Sequence, residues 1–370
     1  MTLEEKKFIK AKNLHLSGNY KDAQKIYLSL IENNKNNFLL HNLVGTTYIQ
    51  LNDYDNAIFH LKISIKLKPD FADNYNNFGI ALSEKKRFQE ALKCYEKALQ
   101  LKKNYFSALL NKGIALKNLN NLKIAVGCFE KCIKINPKNP QIYLNLGNIF
   151  VLLKKYKDAK KLFDKAIELN KNYAEAYSNR GELFQLHLKE IKLAIDDYTR
   201  ALKYNNKLKY VYGKLIHAKM QINDWENFEN QMNTLKKDII DNKNIIAPFP
   251  LLSLIDEPKL HKLTAEQYSN ESYPFSKKVN KKRKINQKKI NIGYFSARFY
   301  DCATLHNMLD VFKNHDMNKF EIFAFNYGTE DLWTKEIKKY FTKFFNISNL
   351  SLEDIKNLSE ENQLQIAVNL

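Results

Sequence analysis

The chain has 370 residues, more than one domain's worth, and its 44% hydrophobic content excludes extended disorder. No apolar run reaches the about 18 residues of a membrane helix, and the N-terminus MTLEEKKFIKAKN lacks the apolar core of a signal peptide, so a cytoplasmic protein is expected. The formal charge of +20 comes from lysines spread along the whole sequence rather than gathered on one phosphate-binding face, which argues against nucleic acid as a partner.

In chain order, the first periodic stretch is GNYKDAQKIY, where Tyr20, Ala23 and Tyr27 hold helical spacing. From residue 38 the pattern becomes regular. Residues 38–71 carry Gly45, Tyr48, Tyr54, Ala57, Leu61 and Pro69, and residues 72–105 carry Gly79, Leu82, Phe88, Ala91, Tyr95 and Ala98. Residues 106–139 follow with Gly113, Leu116, Leu122, Ala125, Phe129 and Pro137. Residues 140–173 carry Gly147, Phe150, Tyr156, Ala159, Phe163 and Ala166. A sixth copy starts at Ala174 with Gly181 and Phe184, and needs one inserted residue around LHLKE before Ala194, Tyr198 and Ala201. Successive glycines from Gly45 to Gly181 stand 34 residues apart. Small residues at the glycine and alanine positions let two helices approach closely, and large ones fill the space between. Each unit is therefore predicted as a helical hairpin that buries its apolar face only by stacking on a neighbour. This 34-residue pattern resembles the tetratricopeptide repeat. Cys94, Cys128 and Cys132 within it, and Cys302 further on, form neither a disulfide framework nor a zinc spacing. Cys128 and Cys132 read as small apolar packing.

One polar residue keeps step with the core. Asn77, Asn111, Asn145 and Asn179 each stand two places before the repeat glycine, while the second repeat breaks the column with Leu43 there and Asn42 beside it. At about 3.6 residues per turn this position lies about 200° from the packing positions on either side, so it points away from the hairpin core. An amide offers both a donor and an acceptor and pairs with both groups of a peptide bond. The column is read as a ladder that holds an extended polypeptide by its backbone; solvated asparagines on a helix face are the competing reading.

Beyond residue 207 the period decays. KLIHAKMQINDWENFENQMNTLKKDII reads as two amphipathic helices with Trp225 as an apolar anchor. Prolines in APFPLLSLIDEP break the chain before a helix of about ten residues. SKKVNKKRKINQKK, 276–289, is the one dense basic run; it lacks aromatic residues for base stacking and reads as a solvated linker. After it the grammar changes. KINIGYFSA, FEIFAFNYG, KFFNIS and LQIAVNL read as strands, separated by the helical stretches TLHNMLDVFKNH, DLWTKEIKKYF and SLEDIKNLSEEN, the last with Ser351 as N-cap. Strands alternating with helices predict a parallel, Rossmann-like sheet whose chemistry gathers at the carboxyl ends of its strands, here SARFYDCATLH.

The repeats, the DW-containing helical segment, PFPLLSLIDEP, IGYFSA and DMNKFEIFAF together resemble the O-linked N-acetylglucosamine transferase family, in its bacterial form with N-terminal repeats. The resemblance implies transfer of N-acetylglucosamine from UDP to Ser or Thr hydroxyls, two Rossmann-like domains in the GT-B arrangement, and repeats that present the acceptor polypeptide. It also implies that the four asparagines line the acceptor groove. The family pattern after the first strand is Gly-Tyr-x-Ser-x-Asp-Phe-x-x-His. Gly293, Tyr294, Ser296 and Phe299 match it, but Arg298 stands at the Asp position and Cys302 at that of the active-site His. A thiol does not replace an imidazole in proton handling; His306, four residues on, is a weak candidate, more readily a helix-surface histidine. By the same resemblance Asn369-Leu370 falls just before a Gly-x-Thr motif, so the donor-binding half is expected to be absent.

The expectation is thus an α-solenoid over 1–207, a helical connecting segment over 208–275, the basic linker 276–289, and a partial α/β Rossmann-like domain over 290–370. Its function is to bind an acceptor polypeptide as the N-terminal part of an O-GlcNAc-transferase-like protein, with no cofactor of its own, no membrane partner, and UDP-N-acetylglucosamine used only if a downstream catalytic fragment is supplied. The alternatives are a repeat-only interaction scaffold with a vestigial catalytic segment and, more remotely, a polyanion binder using residues 276–289.

Overall fold

The computed structural model describes residues 2–272, 289–348, 350 and 352–370, which form two compact units, one on each side of residues 273–288. The basic run 276–289, Lys289 aside, and the expected N-cap Ser351 lie outside the described residues.

The first unit is helical throughout. Its first twelve helices are α1 (Leu3–Leu16), α2 (Tyr20–Asn33), α3 (Phe38–Gln50), α4 (Tyr54–Leu67), α5 (Ala72–Glu84), α6 (Phe88–Leu101), α7 (Phe106–Asn118), α8 (Leu122–Ile135), α9 (Pro140–Leu152), α10 (Tyr156–Leu169), α11 (Ala174–Leu183) and α12 (Ile191–Tyr204). They pair as consecutive hairpins stacked in a tetratricopeptide solenoid, and from α3 onward every first helix begins at the first residue of its repeat. The packing rule is visible at the glycines. A Cβ on Gly79 would lie 2.5 Å from Tyr95 Cε1, one on Gly113 2.8 Å from Phe129 Cζ, and one on Gly181 2.9 Å from Tyr198 Cε1. Tyr95, Phe129 and Tyr198 are at most 1% exposed, so each large ring of the second helix rests on the bare backbone of the first. Cys128 and Cys132 lie in the same core, as packing residues.

Each hairpin turns on one residue in the left-handed region: Gly18, Asn52, Lys86, Asn120, Lys154 and Lys189, with φ between 58° and 82°. The amide after it reaches back to a carbonyl of the last helical turn, as Asp53 N to Tyr48 O at 2.9 Å and Lys155 N to Phe150 O at 2.8 Å, which closes the helix end. These turn residues are 34 apart until Lys154, and Lys189 comes one residue late. The extra residue is absorbed in a π-helical turn, Phe184–Leu188, at the end of α11. Glycine and ring are consequently 17 apart in this repeat, Gly181 to Tyr198, yet they meet as in the others.

Four further helices complete the unit: α13 (Val211–Gln221), α14 (Phe228–Ile240), the single turn α15 (Pro248–Leu251) and α16 (Pro258–Ser272). Helix α16 runs 15 residues, longer than the expected ten. Trp225 is not the anchor of this region: it sits in the α13–α14 turn, 49% exposed, with its ring edge-on to Phe228 at 5.2 Å. Its place in the turn, packed on Phe228 alone among the aromatic rings, leaves it half-exposed, and Met232, Leu235 and Ile239 of α14, with Ile246 and Leu251, form the core instead.

The second unit is a parallel four-stranded sheet in the order β3-β2-β1-β4, built from β1 (Ile290–Ser296), β2 (Phe320–Asn326), β3 (Lys343–Asn346) and β4 (Ile366–Asn369). Three crossover helices connect them: α17 (Ala303–Lys313), α18 (Leu332–Ile337) and α19 (Leu352–Glu361). One face buries Ile292, Tyr294, Ile322 and Ala324 against Leu305, Phe312 and Ile337; the other buries Phe323 and Phe325 against Ile355 and Leu358. Covered on both sides, the strands carry apolar residues in near-continuous runs. The chain winds outward from β1 through β2 to β3, then returns to place β4 on the opposite side of β1. The crevice of such a switch lies at the carboxyl end of β1, between it and β4. No helix among the described residues is long and apolar enough to cross a membrane.

Candidate functional site

In the first unit the first helices of neighbouring repeats lie side by side, and the asparagine column falls along their seam. Asn77, Asn111 and Asn179 are half-buried and Asn145 is 7% exposed. The structure gives each of them a protein partner. Asn111 Nδ2 donates to Asn76 Oδ1 at 3.1 Å, Asn76 Nδ2 to Asn77 Oδ1 at 3.2 Å, and Asn77 Nδ2 to Asn42 Oδ1 at 3.3 Å. Asn42 Nδ2 donates in turn to Asn74 Oδ1 at 2.7 Å, an oxygen that also accepts from Ser64 Oγ at 2.8 Å. A relay of amides thus runs from α7 through α5 to α3. Further along, Asn179 Nδ2 donates to Asn148 Oδ1 at 2.9 Å, while Asn145 Nδ2 donates to the Gln141 carbonyl at 2.9 Å and Asn145 Oδ1 accepts from Lys117 Nζ at 3.2 Å. After α11 the seam continues through Gln185, which accepts from Tyr198 Oη at 2.9 Å and donates to Gln221 Oε1 at 3.2 Å.

Chemically, the relay does two things. It satisfies polar groups that stacking would otherwise leave dry, and it fixes the orientation of each amide. Each NH₂ keeps a second hydrogen, and Asn111 Oδ1 and Asn179 Oδ1 accept no hydrogen bond from the described residues. An oriented donor hydrogen at each step, and an unengaged acceptor at Asn111 and Asn179, remain for a ligand. Sequence reasoning found the column but missed its partners. Asn42 and Asn76, themselves 34 apart and one place ahead of the column, were the available signal.

The second unit places the other candidates in the loop after β1. Here Tyr327 N donates to Ser296 O at 3.1 Å, and the chain at Gly328 passes so close to Ala297 that an added Cβ would come within 2.9 Å of its Cα; only glycine fits. Phe299 is 1% exposed and carries the loop into the core. Cys302 caps the start of α17 in extended conformation, partly buried against the same core, with Sγ 3.5 Å from the Arg298 carbonyl. His306, one turn into α17, has Nε2 2.8 Å from Asp301 Oδ1 and its ring edge-on to Trp333 at 4.8 Å. The amides of Asp301 and Thr334 donate to the Asp331 carboxylate at 2.7 and 2.9 Å and hold its pKa below the usual value. The His306–Asp301 pair was not foreseen; at five residues' spacing across a loop–helix junction it has no sequence signature.

Tetratricopeptide repeat signatures match residues 40–71, 106–139 and 140–173, and a TPR repeat signature matches 81–120. Two of these have the same bounds as the frames drawn from the glycines. Tetratricopeptide repeats are therefore present in this chain and form a scaffold for protein interactions. An uncharacterized protein of Haemophilus influenzae is 31% identical over 86 residues, 23% of this chain and 48% of that protein. The probable UDP-N-acetylglucosamine–peptide N-acetylglucosaminyltransferase SEC of Arabidopsis thaliana is 29% identical over 91 residues, 24% of this chain and 9% of that protein. The chain thus spans under half the length of these two curated relatives. Among solved structures, the APC/C hetero-tetramer Cut9-Hcn1 superposes with a TM-score of 0.54 at 17% identity, covering 70% of this chain and 48% of that chain, a likeness of fold.

Proposed function

We propose that the first unit binds an extended polypeptide along the seam of its first helices, with Asn77, Asn111, Asn145 and Asn179 holding the bound backbone. The observation that carries this reading is the amide relay: asparagines already oriented by their neighbours lose little side-chain entropy on binding, so each backbone hydrogen bond keeps more of its worth. The partial likeness to a peptide N-acetylglucosaminyltransferase supports the finer reading, that the bound polypeptide is the acceptor of a glycosyl transfer, and that a downstream catalytic fragment is a partner.

The test separates binding from folding by altering the ligand. A library of extended, capped peptides is screened for binders, and each binder is remade with backbone N-methyl groups at alternate residues. Loss of affinity on N-methylation, with tolerance of side-chain changes, is the expected result; the opposite pattern sinks the ladder.

A second reading is favoured by the loop after β1. Cys302 stands where the resembling family has its histidine and is packed against the core, and Arg298 replaces an acid, so the second unit by itself is proposed to transfer no sugar. Incubation with UDP-N-acetylglucosamine and a Ser/Thr-rich acceptor is expected to give no added N-acetylhexosamine by mass spectrometry. Donor-dependent modification by this chain alone overturns that reading.

A further inference from the structure

Between the fourth and sixth repeats the seam opens into a cavity of about 360 Å³. Phe163 and Leu183, 0% and 1% exposed, form its floor, and Val151 and Leu152 form an apolar side, Leu152 with 57% of its surface open. Asn148 and Asn179, joined to each other, stand at the edge. Its volume is at the lower end of the about 300–1,000 Å³ of small-ligand pockets, enough for a large aliphatic side chain.

The charges around it do not balance. Lys117 reaches in from α7, donates to Asn145 Oδ1, and has no carboxylate within ion-pair distance among the described residues. Helices α7 and α9, FSALLNKGIALKN and PQIYLNLGNIFVL, contain no acid at all. Glu182, the one carboxylate lining the cavity among the described residues, is already matched by Lys214 at 2.5 Å. On α10, Asp158 pairs with Lys161 and Asp164 with Lys160 and Arg180. Burial accordingly lowers the pKa of Lys117, an ammonium short of both water and counter-ion.

We propose that this cavity is a specificity subsite: its apolar floor takes a large aliphatic side chain of the bound polypeptide, and Lys117 pairs with an Asp or Glu side chain next to it. The inference rests on the polypeptide reading above and adds to it a sequence preference. The charge complementarity is local, and the chain's overall +20 draws acidic segments toward it.

The experiment uses the full chain and a set of capped, C-terminally amidated peptides on one Ser/Ala background, with Leu-Asp, Leu-Asn, Ala-Asp or Leu-Lys at the centre. Leu-Asp is expected to bind about tenfold tighter than Leu-Asn, the worth of one charge-assisted hydrogen bond, and than Ala-Asp. The difference should shrink as salt is raised. Lys117→Met, which keeps the apolar stem, should abolish the Asp preference, so that Leu-Asp and Leu-Asn bind alike; Leu152→Ser should abolish the Leu preference. Equal binding of Leu-Asp and Leu-Asn, or an Asp preference that survives in Lys117→Met, overturns the subsite and leaves the backbone ladder standing. Tighter binding when a free C-terminal carboxylate replaces the Asp overturns the assignment to a side chain. Failure of every peptide to bind overturns the polypeptide reading and the subsite with it.

Discussion

Gly79→Ala is the substitution that most directly tests how the solenoid is held. The added methyl would sit 2.5 Å from Tyr95 Cε1 and 2.9 Å from Cδ1 and Cζ. The ring is 1% exposed and is tethered at its far end by the bond of 3.0 Å between Tyr95 Oη and Ser83 Oγ, so it cannot retreat without breaking a contact. Overpacking of this kind costs about 1–3 kcal/mol, and the helix preference of Ala over Gly returns about 1 kcal/mol, which leaves a net loss of up to about 2 kcal/mol. The internal control is Gly127→Ala. Gly127 is also inside a helix, α8, but nothing lies within 4 Å of its Cβ position, so only the propensity gain of about 1 kcal/mol applies. The two substitutions, chemically identical, are expected to differ by about 1–3 kcal/mol, the overpacking cost alone. Urea titration followed by far-ultraviolet circular dichroism reads both, with the slope checked for constancy. Tyr95→Leu makes room, and combined with Gly79→Ala should cost less than the sum of the two alone, by about 1 kcal/mol. If Gly79→Ala gains as much as Gly127→Ala, or if Gly127→Ala loses as much as Gly79→Ala does, close approach at the glycines is not what the packing depends on.

Three further outcomes are expected. His41 Nε2 donates to the Lys35 carbonyl at 3.1 Å, so its Nδ1 accepts from His60 Nδ1 at 3.0 Å, and burial together with His41 lowers the His60 pKa to about 4. The unfolded chain, with a histidine pKa of about 6.5, then takes up a proton the folded chain refuses between pH 6.5 and 4; stability present above that window falls by about 2–3 kcal/mol across it. His60→Gln should flatten this slope in thermal melts, and an unchanged slope would remove the pair as its source. At the hairpin turns, Gly18→Ala should cost about 1 kcal/mol, whereas Lys154→Gly should gain a few tenths, because both sites have positive φ, 82° and 58°; matched changes of one sign would contradict the turn geometry. Arg180 spans Asp197 with two bonds of 2.7 Å and Asp164 with one of 2.6 Å, and Asp197 is deeply buried, its pKa raised by desolvation despite the arginine. Arg180→Met should cost about 3–5 kcal/mol by stranding that carboxylate, and Arg180→Met with Asp197→Leu should recover most of it in the same titration.

The solenoid was legible because its signals are local. A glycine, its ring and the turn between them lie within one repeat, and their spacing is fixed by helix geometry alone. The strands were legible for a similar reason, since KINIGYFSA and FEIFAFNYG are long apolar runs closed by small or turn residues. What could not be read depends on how neighbours are rotated against one another. The helical wheel turned Asn77 away from its own core but could not say that Asn42 of the preceding repeat would meet it. Nor could it show that Lys117 would meet Asn145, since 28 residues and a hairpin separate them. Trp225 failed as an anchor because hydrophobicity was weighed without the ring's place in a turn. The pairing of His306 with Asp301 depends on where the loop after β1 enters α17, a backbone path that no spacing specifies. Where the sequence demanded one inserted residue around LHLKE, it located the irregularity without showing its form.

That form, the π-helical turn at Phe184–Leu188, has a consequence for recognition. A surface that repeats identically is blind to phase: a strand of polypeptide slid along it by one step finds the same amides again, and every frame binds alike. In the recognition track proposed above, the extra residue adds a break in that degeneracy after the last asparagine of the column. It leaves Leu186 47% exposed and lays the His187 ring flat on Tyr156 at 4.3 Å, beside the cavity that Lys117 enters. Like a notch on a ruler, it would give the proposed track a zero mark, from which its asparagines count outward.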